Sequence, residues 1–204
     1  LRRGRPTCHK AYGEDIALLA GDGLLTYAFN LLATSLEIRP EIRLTLVQLL
    51  SDAAGAFGGM IAGQTLDLYA ESTGSAAEDE NIISRLEEMK TGRLLRYACE
   101  AGAVLGQAPL ELRQALMIYS RKIGQTFQIS DDILDQIGNQ TLVGKTLHKD
   151  NKQNKFTIVS RFGIDKAREV AQKLTDEAVS VLEVFGDKAL PLQDLARFII
   201  TRCY

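Results

Sequence analysis

The chain has 204 residues, of which 46% are hydrophobic and 25% charged, the composition of an ordinary globular protein. Its formal net charge of -2 argues against nucleic-acid binding, which requires a basic surface, and against a polybasic membrane anchor. We expect no membrane span because no apolar run approaches ~18 residues, and three widely spaced cysteines without a signal peptide fit a reducing cytoplasm.

The hydrophobic pattern predicts helices, the first of them over residues 14–36. This segment is apolar around most of its circumference, which is typical of a helix buried in a large bundle or in an interface. A second helical pattern covers 39–72 and starts near Pro40, a residue favoured in the first helical turn. The glycines of "GAFGGMIAG" (55–63) indicate close helix packing, because a phosphate-binding glycine loop would need a preceding strand.

The rest of the chain continues the helical pattern. Residues 72–80 form a predicted loop, in which Ser75 and Glu78 have the spacing of a capping box. Further helices are predicted at 80–106, at 110–138 with a stop at Gly138, at 164–185 and at 190–202, with a polar, lysine-rich loop at 139–156. No sustained alternation of period two occurs, so we expect a single all-α domain over residues 1–204.

Three aspartates interrupt the apolar stretch "FQISDDILDQIG" (127–138). On a helix, Asp131 and Asp135 lie one turn apart on one face, with Asp132 beside them. The surrounding apolar residues drive this helix into a core, so the carboxylates are expected in a cleft, where they need compensating positive charge. Mg²⁺ supplies such charge, since it prefers a few carboxylate oxygens. A solvated helix edge and a structural ion pair remain alternatives.

The downstream segment "GKTLHKDNKQNK" (144–155) contains four lysines. Cations next to a carboxylate-bound metal make a site for a diphosphate, because the metal bridges phosphate oxygens and lysine neutralises the remaining charge. A solvated loop would have the same composition.

These motifs resemble a known family. "FQISDDILD" followed by "GKT…KD…NKFT" is similar to the second aspartate-rich region of the trans-isoprenyl diphosphate synthases, the farnesyl and geranylgeranyl diphosphate synthase group. "LRRGRPTCH", "LAGDGLLTYAF", "GGMIAGQTLDL" and "KTGRLL" agree in order, so the resemblance covers essentially the whole chain. It implies an all-α homodimer that joins isopentenyl diphosphate to an allylic diphosphate, with Mg²⁺ ions assisting ionisation of the allylic C–O bond.

The resemblance also assigns roles to residues. It implies Asp131, Asp132 and Asp135 as metal ligands. It also implies that Lys90, Thr91, Gln128 and Lys145 contact the allylic diphosphate, and Lys90, Gln128 and Lys145 are taken as catalytic. Lys155 is implied as a second phosphate-binding lysine.

Arg2 matches the arginine that faces the allylic diphosphate, and Arg3 matches the one that faces isopentenyl diphosphate. The planar guanidinium fork suits both roles. Gln64 and Asp67 match positions lining the cavity, although core packing or helix polarity explains them equally well.

The chain also departs from the family pattern. His148 stands where the family often has glycine, which affects the expected shape of the loop, and His9 is expected to be structural because no second Cys/His cluster completes a zinc site. The first aspartate-rich motif of the family lies immediately before "LRRG", where this chain begins with Leu1 rather than Met. We therefore expect an N-terminally incomplete chain with negligible prenyl transfer on its own.

Two other functions remain open. A non-catalytic partner subunit of a complete synthase would keep the subunit surface without needing the site residues. A terpene cyclase on the same fold is a weaker alternative, because the paired arginines of "LRRG" fit a synthase with two substrates better.

Overall fold

The computed structural model describes residues 1–2, 4–73, 80–137 and 157–202. Within these ranges the regular structure is helical, apart from one isolated β-bridge between Arg2 and Arg5. The prediction of an all-α fold is therefore confirmed.

Four helices form the first part of the chain: α1 (Cys8–Tyr12), α2 (Glu14–Thr34), α3 (Pro40–Ala54) and α4 (Met60–Thr73). The second part consists of α5 (Glu80–Glu87), a π-helical turn (Glu88–Gly92), α6 (Arg93–Leu105), α7 (Leu110–Ile137), α8 (Ile158–Ser180), a 3₁₀ segment (Glu183–Ala189) and α9 (Leu190–Thr201). The five-residue segment Glu88–Gly92 is called the π-turn below.

The segment predicted as one helix over 39–72 is two helices, α3 and α4. Residues 55–59 separate them, and Gly58 has a φ of +84°, a conformation that favours glycine. A Cβ at Gly59 would lie 2.6 Å from the backbone oxygen of Asp52, so the chain turns back too tightly there for a side chain. Helical periodicity on both sides concealed this break in the sequence.

Helix α8 begins before residue 164, the predicted start. Thr157 and Ser160 form a reciprocal capping box, with Thr157 Oγ1 accepting from the Ser160 amide at 3.1 Å and Ser160 Oγ accepting from the Thr157 amide at 2.8 Å. Gly163 then interrupts the helix at φ 83° and ψ 167°. The predicted start corresponds to the segment after this interruption. The proposed capping box of residues 75 and 78, the stop at residue 138 and the loop at 139–156 lie outside the described residues.

Helix α7 contributes to two apolar clusters. The first packs α7 against the C-terminal segments and contains Tyr119, Ile123, Ala178, Leu182, Ala189, Ala196 and Ile199. The second packs α7 against α8 and contains Ile129, Ile133, Val159, Ala167 and Ala171. The Tyr119 hydroxyl donates to the backbone oxygen of Leu192 at 2.8 Å, which attaches α9 to α7. Helix α7 is therefore buried on successive turns.

Helix α2 contrasts with α7, since none of its residues is buried. Its exposed apolar side chains include Leu18, Leu19, Leu24, Tyr27 and Leu31. With 21 residues, it is by length and composition apolar enough to cross a membrane, contrary to the expectation that no apolar run approaches ~18 residues. Length and composition alone are weak evidence for a span, because a helix in a protein interface or core has the same properties.

We predict that Cys99 reacts slowly with alkylating reagents in the native protein. Burial raises the pKa of its thiol to about 11, so at pH 8 it is almost entirely protonated, and the reactive thiolate accumulates only as the pH approaches that pKa. Iodoacetamide labelling followed by peptide mass spectrometry should modify exposed Cys8 at least roughly tenfold faster than Cys99 at pH 8. Equal rates at the two thiols would contradict this prediction.

Candidate functional site

The aspartates Asp131, Asp132 and Asp135 lie near the C-terminal end of α7 and are called the acidic face below. Asp132 and Asp135 are only 6% and 7% exposed, and the Asp131 side chain is one third exposed. These low exposed fractions exclude the alternative that the three aspartates lie on a fully solvated helix edge. Carboxylates at such positions require hydrogen bonds or positive charge to offset their desolvation.

One partner of the acidic face comes from α7 itself. The Gln128 side-chain amide donates to Asp132 Oδ1 at 3.0 Å, across one helical turn. This hydrogen bond orients both side chains.

A second partner comes from the C-terminal end of α9. Arg202 forms a hydrogen-bonded ion pair with Asp131 Oδ1. The Cζ of Arg202 lies 4.3 Å from the centroid of the Phe127 ring, one turn before Asp131 on α7. Arg202 was not among the residues indicated by the sequence, because no local pattern connects a C-terminal arginine to a motif 71 residues earlier.

Lys90 and Thr91 lie in the π-turn, between α5 and α6. A π-turn inserts an extra residue into a helix and is frequently found at functional sites. Lys90 forms a hydrogen-bonded ion pair with Asp67 Oδ2 of α4. Asp67 is only 8% exposed, and the ammonium of Lys90 offsets part of the cost of burying its charge. The structure places Asp67 against Lys90, and its assignment to the cavity lining stays a prediction.

Gly63 explains why α4 lies so close to the π-turn. A Cβ at Gly63 would lie 2.4 Å from the backbone nitrogen of Lys90 and 2.8 Å from its Cα, a distance that no side chain can occupy. Asp67 follows one helical turn later on the same face of α4. The backbone contact at Gly63 therefore brings the carboxylate of Asp67 to the ammonium of Lys90. It also confirms the interpretation of this glycine as a site of close helix packing.

Helix α7 contacts the other side of the π-turn. A Cβ at Gly124 would lie 3.5 Å from the Cα of Gly92, which is van der Waals contact. Gly124 lies one turn before Gln128 on α7. The π-turn with Lys90 and Thr91 thus packs between α4 and the part of α7 that leads into the acidic face.

Of the other residues singled out by the sequence, the structure describes Arg2 and His9. The Arg2 side chain is exposed, and its backbone pairs with Arg5 through hydrogen bonds of 2.8 and 3.1 Å. Exposed His9 has its Nε2 3.5 Å from Thr7 Oγ1. Arg3, Lys145, His148 and Lys155 lie outside the described residues.

The acidic face has the donor chemistry for Mg²⁺. This ion commonly uses one or two carboxylates and completes its shell with waters and substrate phosphates. Asp131 and Asp135 are two such carboxylates one turn apart, and Asp132 is beside them. Among the residues that the structure describes, no group of three or more His, Cys, Asp or Glu side chains is placed to hold a metal ion, so the three aspartates do not by themselves form a three-ligand site.

The family model for polyprenyl synthetase matches residues 1–184. The chain belongs to the polyprenyl synthetase family. The resemblance drawn from the five motifs is confirmed by this match.

Curated relatives and solved structures agree with this assignment. The chain is 43% identical over 204 residues to a dimethylallyltranstransferase from Fischerella ambigua (strain UTEX 1903). It is 37% identical over 203 residues to a geranylgeranyl diphosphate synthase from Cyanophora paradoxa. An FPP/GFPP synthase from Zymomonas mobilis superposes on 98% of this chain with a TM-score of 0.85 and 40% sequence identity. A geranyltransferase from Helicobacter pylori, solved in complex with magnesium and isoprenyl diphosphate, also superposes on 98% of this chain, with a TM-score of 0.81 and 34% sequence identity.

The chain spans only part of these proteins. It covers 58% of the Fischerella relative and 66% of the Cyanophora relative. It covers 66% and 64% of the Zymomonas and Helicobacter chains. Their high TM-scores nevertheless show that the helices described here have the arrangement of an isoprenyl synthase.

We predict that Gly63→Ala destabilises the protein by about 1–3 kcal/mol, because the added methyl group collides with the backbone of the π-turn. Gly102→Ala is the matched control. Gly102 lies within α6, a Cβ there would meet nothing within 4 Å, and alanine should stabilise the helix by roughly 0.5–1 kcal/mol. Urea unfolding measures both changes. Equal effects of the two substitutions would contradict the proposed contact.

Proposed function

We propose that the protein is a prenyltransferase that condenses isopentenyl diphosphate with an allylic diphosphate. The observation that supports this most strongly is the position of the π-turn, which bears Lys90 and Thr91 and packs against α7 at Gly124, one turn before Gln128. The names of the similar proteins support the same reaction class. The complex of the Helicobacter geranyltransferase with magnesium and isoprenyl diphosphate supports the ligand chemistry.

In this proposal the acidic face holds Mg²⁺ through Asp131 and Asp135, with Asp132 oriented by Gln128. When bound, Mg²⁺ would neutralise charge that develops on the departing diphosphate. Lys90 and Thr91 donate hydrogen bonds to oxygens of the allylic diphosphate, as would Gln128 from α7. Asp67 fixes the ammonium of Lys90 so that little rotamer freedom is lost when the diphosphate binds.

The remaining substrate contacts are assigned by the family pattern. Arg2 would bind the allylic diphosphate and Arg3 isopentenyl diphosphate, while Lys145 and Lys155 would neutralise further phosphate charge. The allylic C–O bond breaks with loss of diphosphate, the isopentenyl double bond attacks the allylic carbon to form a C–C bond, and a proton is lost from the adduct.

We propose further that the protein is a cytoplasmic homodimer and that α2 lies in the subunit interface. The supporting observation is that α2 buries none of its residues although Leu18, Leu24 and Tyr27 project from it, each more than half exposed. A contiguous exposed apolar face along a helix usually marks a protein–protein interface. A surface of this kind also suits the alternative, a non-catalytic partner of a complete synthase. A partner of that kind has no need for the Asp67–Lys90 pair or the buried acidic face, which favours the enzyme.

Asp131→Ala is expected to lower prenyl transfer in the intact enzyme by at least roughly tenfold, because a carboxylate ligand of the metal is lost. The control is Asp165→Ala, which removes an exposed carboxylate on α8. Turnover of a short allylic diphosphate with radiolabelled isopentenyl diphosphate measures both. Unchanged turnover in Asp131→Ala would contradict the assignment of the acidic face.

Leu24→Glu is expected to convert the homodimer to a monomer, because it places a charge in the centre of the exposed apolar face of α2. Leu110→Glu is the matched control, since Leu110 is similarly exposed, 70% against 71% for Leu24, but lies at the start of α7. Light scattering coupled to gel filtration gives the two masses. A dimer that persists in Leu24→Glu would place the interface elsewhere.

A further inference from the structure

We propose that Arg202 is a positioning residue that neutralises Asp131 in the metal-free protein and competes with Mg²⁺ for this carboxylate. The inference rests on the proposed function, because it takes Asp131 as a metal ligand. It concerns a residue that directly follows α9 and lies outside every motif in the sequence.

The position of Arg202 is fixed from two directions. Its guanidinium stacks on the Phe127 ring, with Cζ 4.3 Å from the ring centroid, while a terminal nitrogen donates to Asp131 Oδ1. Helix α9, which Arg202 directly follows, packs in the core through Ala196 and Ile199, which are 0% and 6% exposed. Arg202 is therefore held over the acidic face by packing, and its contact with Asp131 is not that of a mobile surface side chain.

The partial burial of this ion pair strengthens the attraction between its two charges. The Arg202 side chain is 12% exposed and the Asp131 side chain 33% exposed, so water screens the two charges less than at an open surface. The Nε of Arg202 is buried and has no hydrogen-bond partner among the described residues. The guanidinium is thus only partly satisfied, and the carboxylate of Asp131 is the charged group that compensates its burial.

A divalent cation at Asp131 meets this positive charge directly. It must displace the guanidinium from Oδ1 or bind beside it, and both alternatives weaken the attraction between cation and carboxylate. Removal of the charge on Arg202 should therefore strengthen metal binding while it weakens the metal-free protein. A residue with a purely structural role would change stability alone.

The test is Arg202→Met in the full-length protein without substrate. Methionine keeps an apolar stem over Phe127 and removes the charge. Isothermal titration with MgCl₂ should give a dissociation constant at least about threefold lower than that of the wild type. The melting temperature without metal should fall by about 2–4 °C, as expected when one paired charge is left buried. An unchanged or weaker affinity for Mg²⁺ would overturn the proposal.

Two control variants separate the effect of the charge on Arg202 from a general effect of substitutions near the C-terminal end of α9. Arg197→Met removes an exposed arginine of α9, which pairs with Asp194, and should leave the Mg²⁺ affinity unchanged. Arg202→Lys retains the charge and should stay near the wild-type affinity. If Arg202→Met fails to fold, Arg202→Gln, which keeps a donor and removes the charge, is held to the same expectation.

Asp131→Asn, titrated in parallel, distinguishes the two ways of failing. If it weakens Mg²⁺ binding while Arg202→Met changes nothing, the metal assignment stands and only the role of Arg202 fails. If Asp131→Asn leaves the affinity unchanged, Asp131 is not a metal ligand, and both the proposed site and this inference are overturned.

Discussion

The burial of α7 on successive turns is the constraint on which the rest of the structure depends. Tyr119 and Ile123 pack against the C-terminal segments, and Ile129 and Ile133 pack against α8. A helix fixed on both sides cannot rotate to bring its polar residues into solvent. Its carboxylates are therefore retained in partly desolvated positions, where each needs a specific partner. The energy of apolar packing along α7 holds the acidic face in place.

The contact between α4 and the π-turn provides the complementary half of the site. An α-helical turn at Glu88–Gly92 would direct Lys90 differently, because a π-turn adds one residue and changes the direction of the side chains that follow. The absence of a side chain at Gly63 allows the two backbones to touch, and Asp67 then fixes the lysine. Cation and carboxylates are thus placed by backbone geometry on separate helices. For the proposed reaction, such preorganisation would supply electrostatic stabilisation to a leaving diphosphate.

Helical periodicity and motif order in the sequence predicted the fold class, the helix with the acidic face and the family. The boundaries were less predictable where local and tertiary effects compete, as in the break at residues 55–59 and the interruption of α8 at Gly163. The pairing of Asp67 with Lys90 and of Arg202 with Asp131 could not be predicted, because the partners are 23 and 71 residues apart. Such pairs depend on how helices pack, and periodicity reports only which face of a helix is apolar.

The attachment of α9 to α7 has a consequence for the order of events during synthesis. Arg202 is made 71 residues after Asp131, and at roughly 5–20 residues per second this interval lasts about 4–14 s. During that time the nascent α7 has neither the apolar cover of Ala196 and Ile199 nor the guanidinium beside its carboxylates. The same carboxylates, together with charged residues such as Arg121 and Lys122, keep the nascent helix hydrated before α9 is made, which lowers its tendency to associate with other nascent chains.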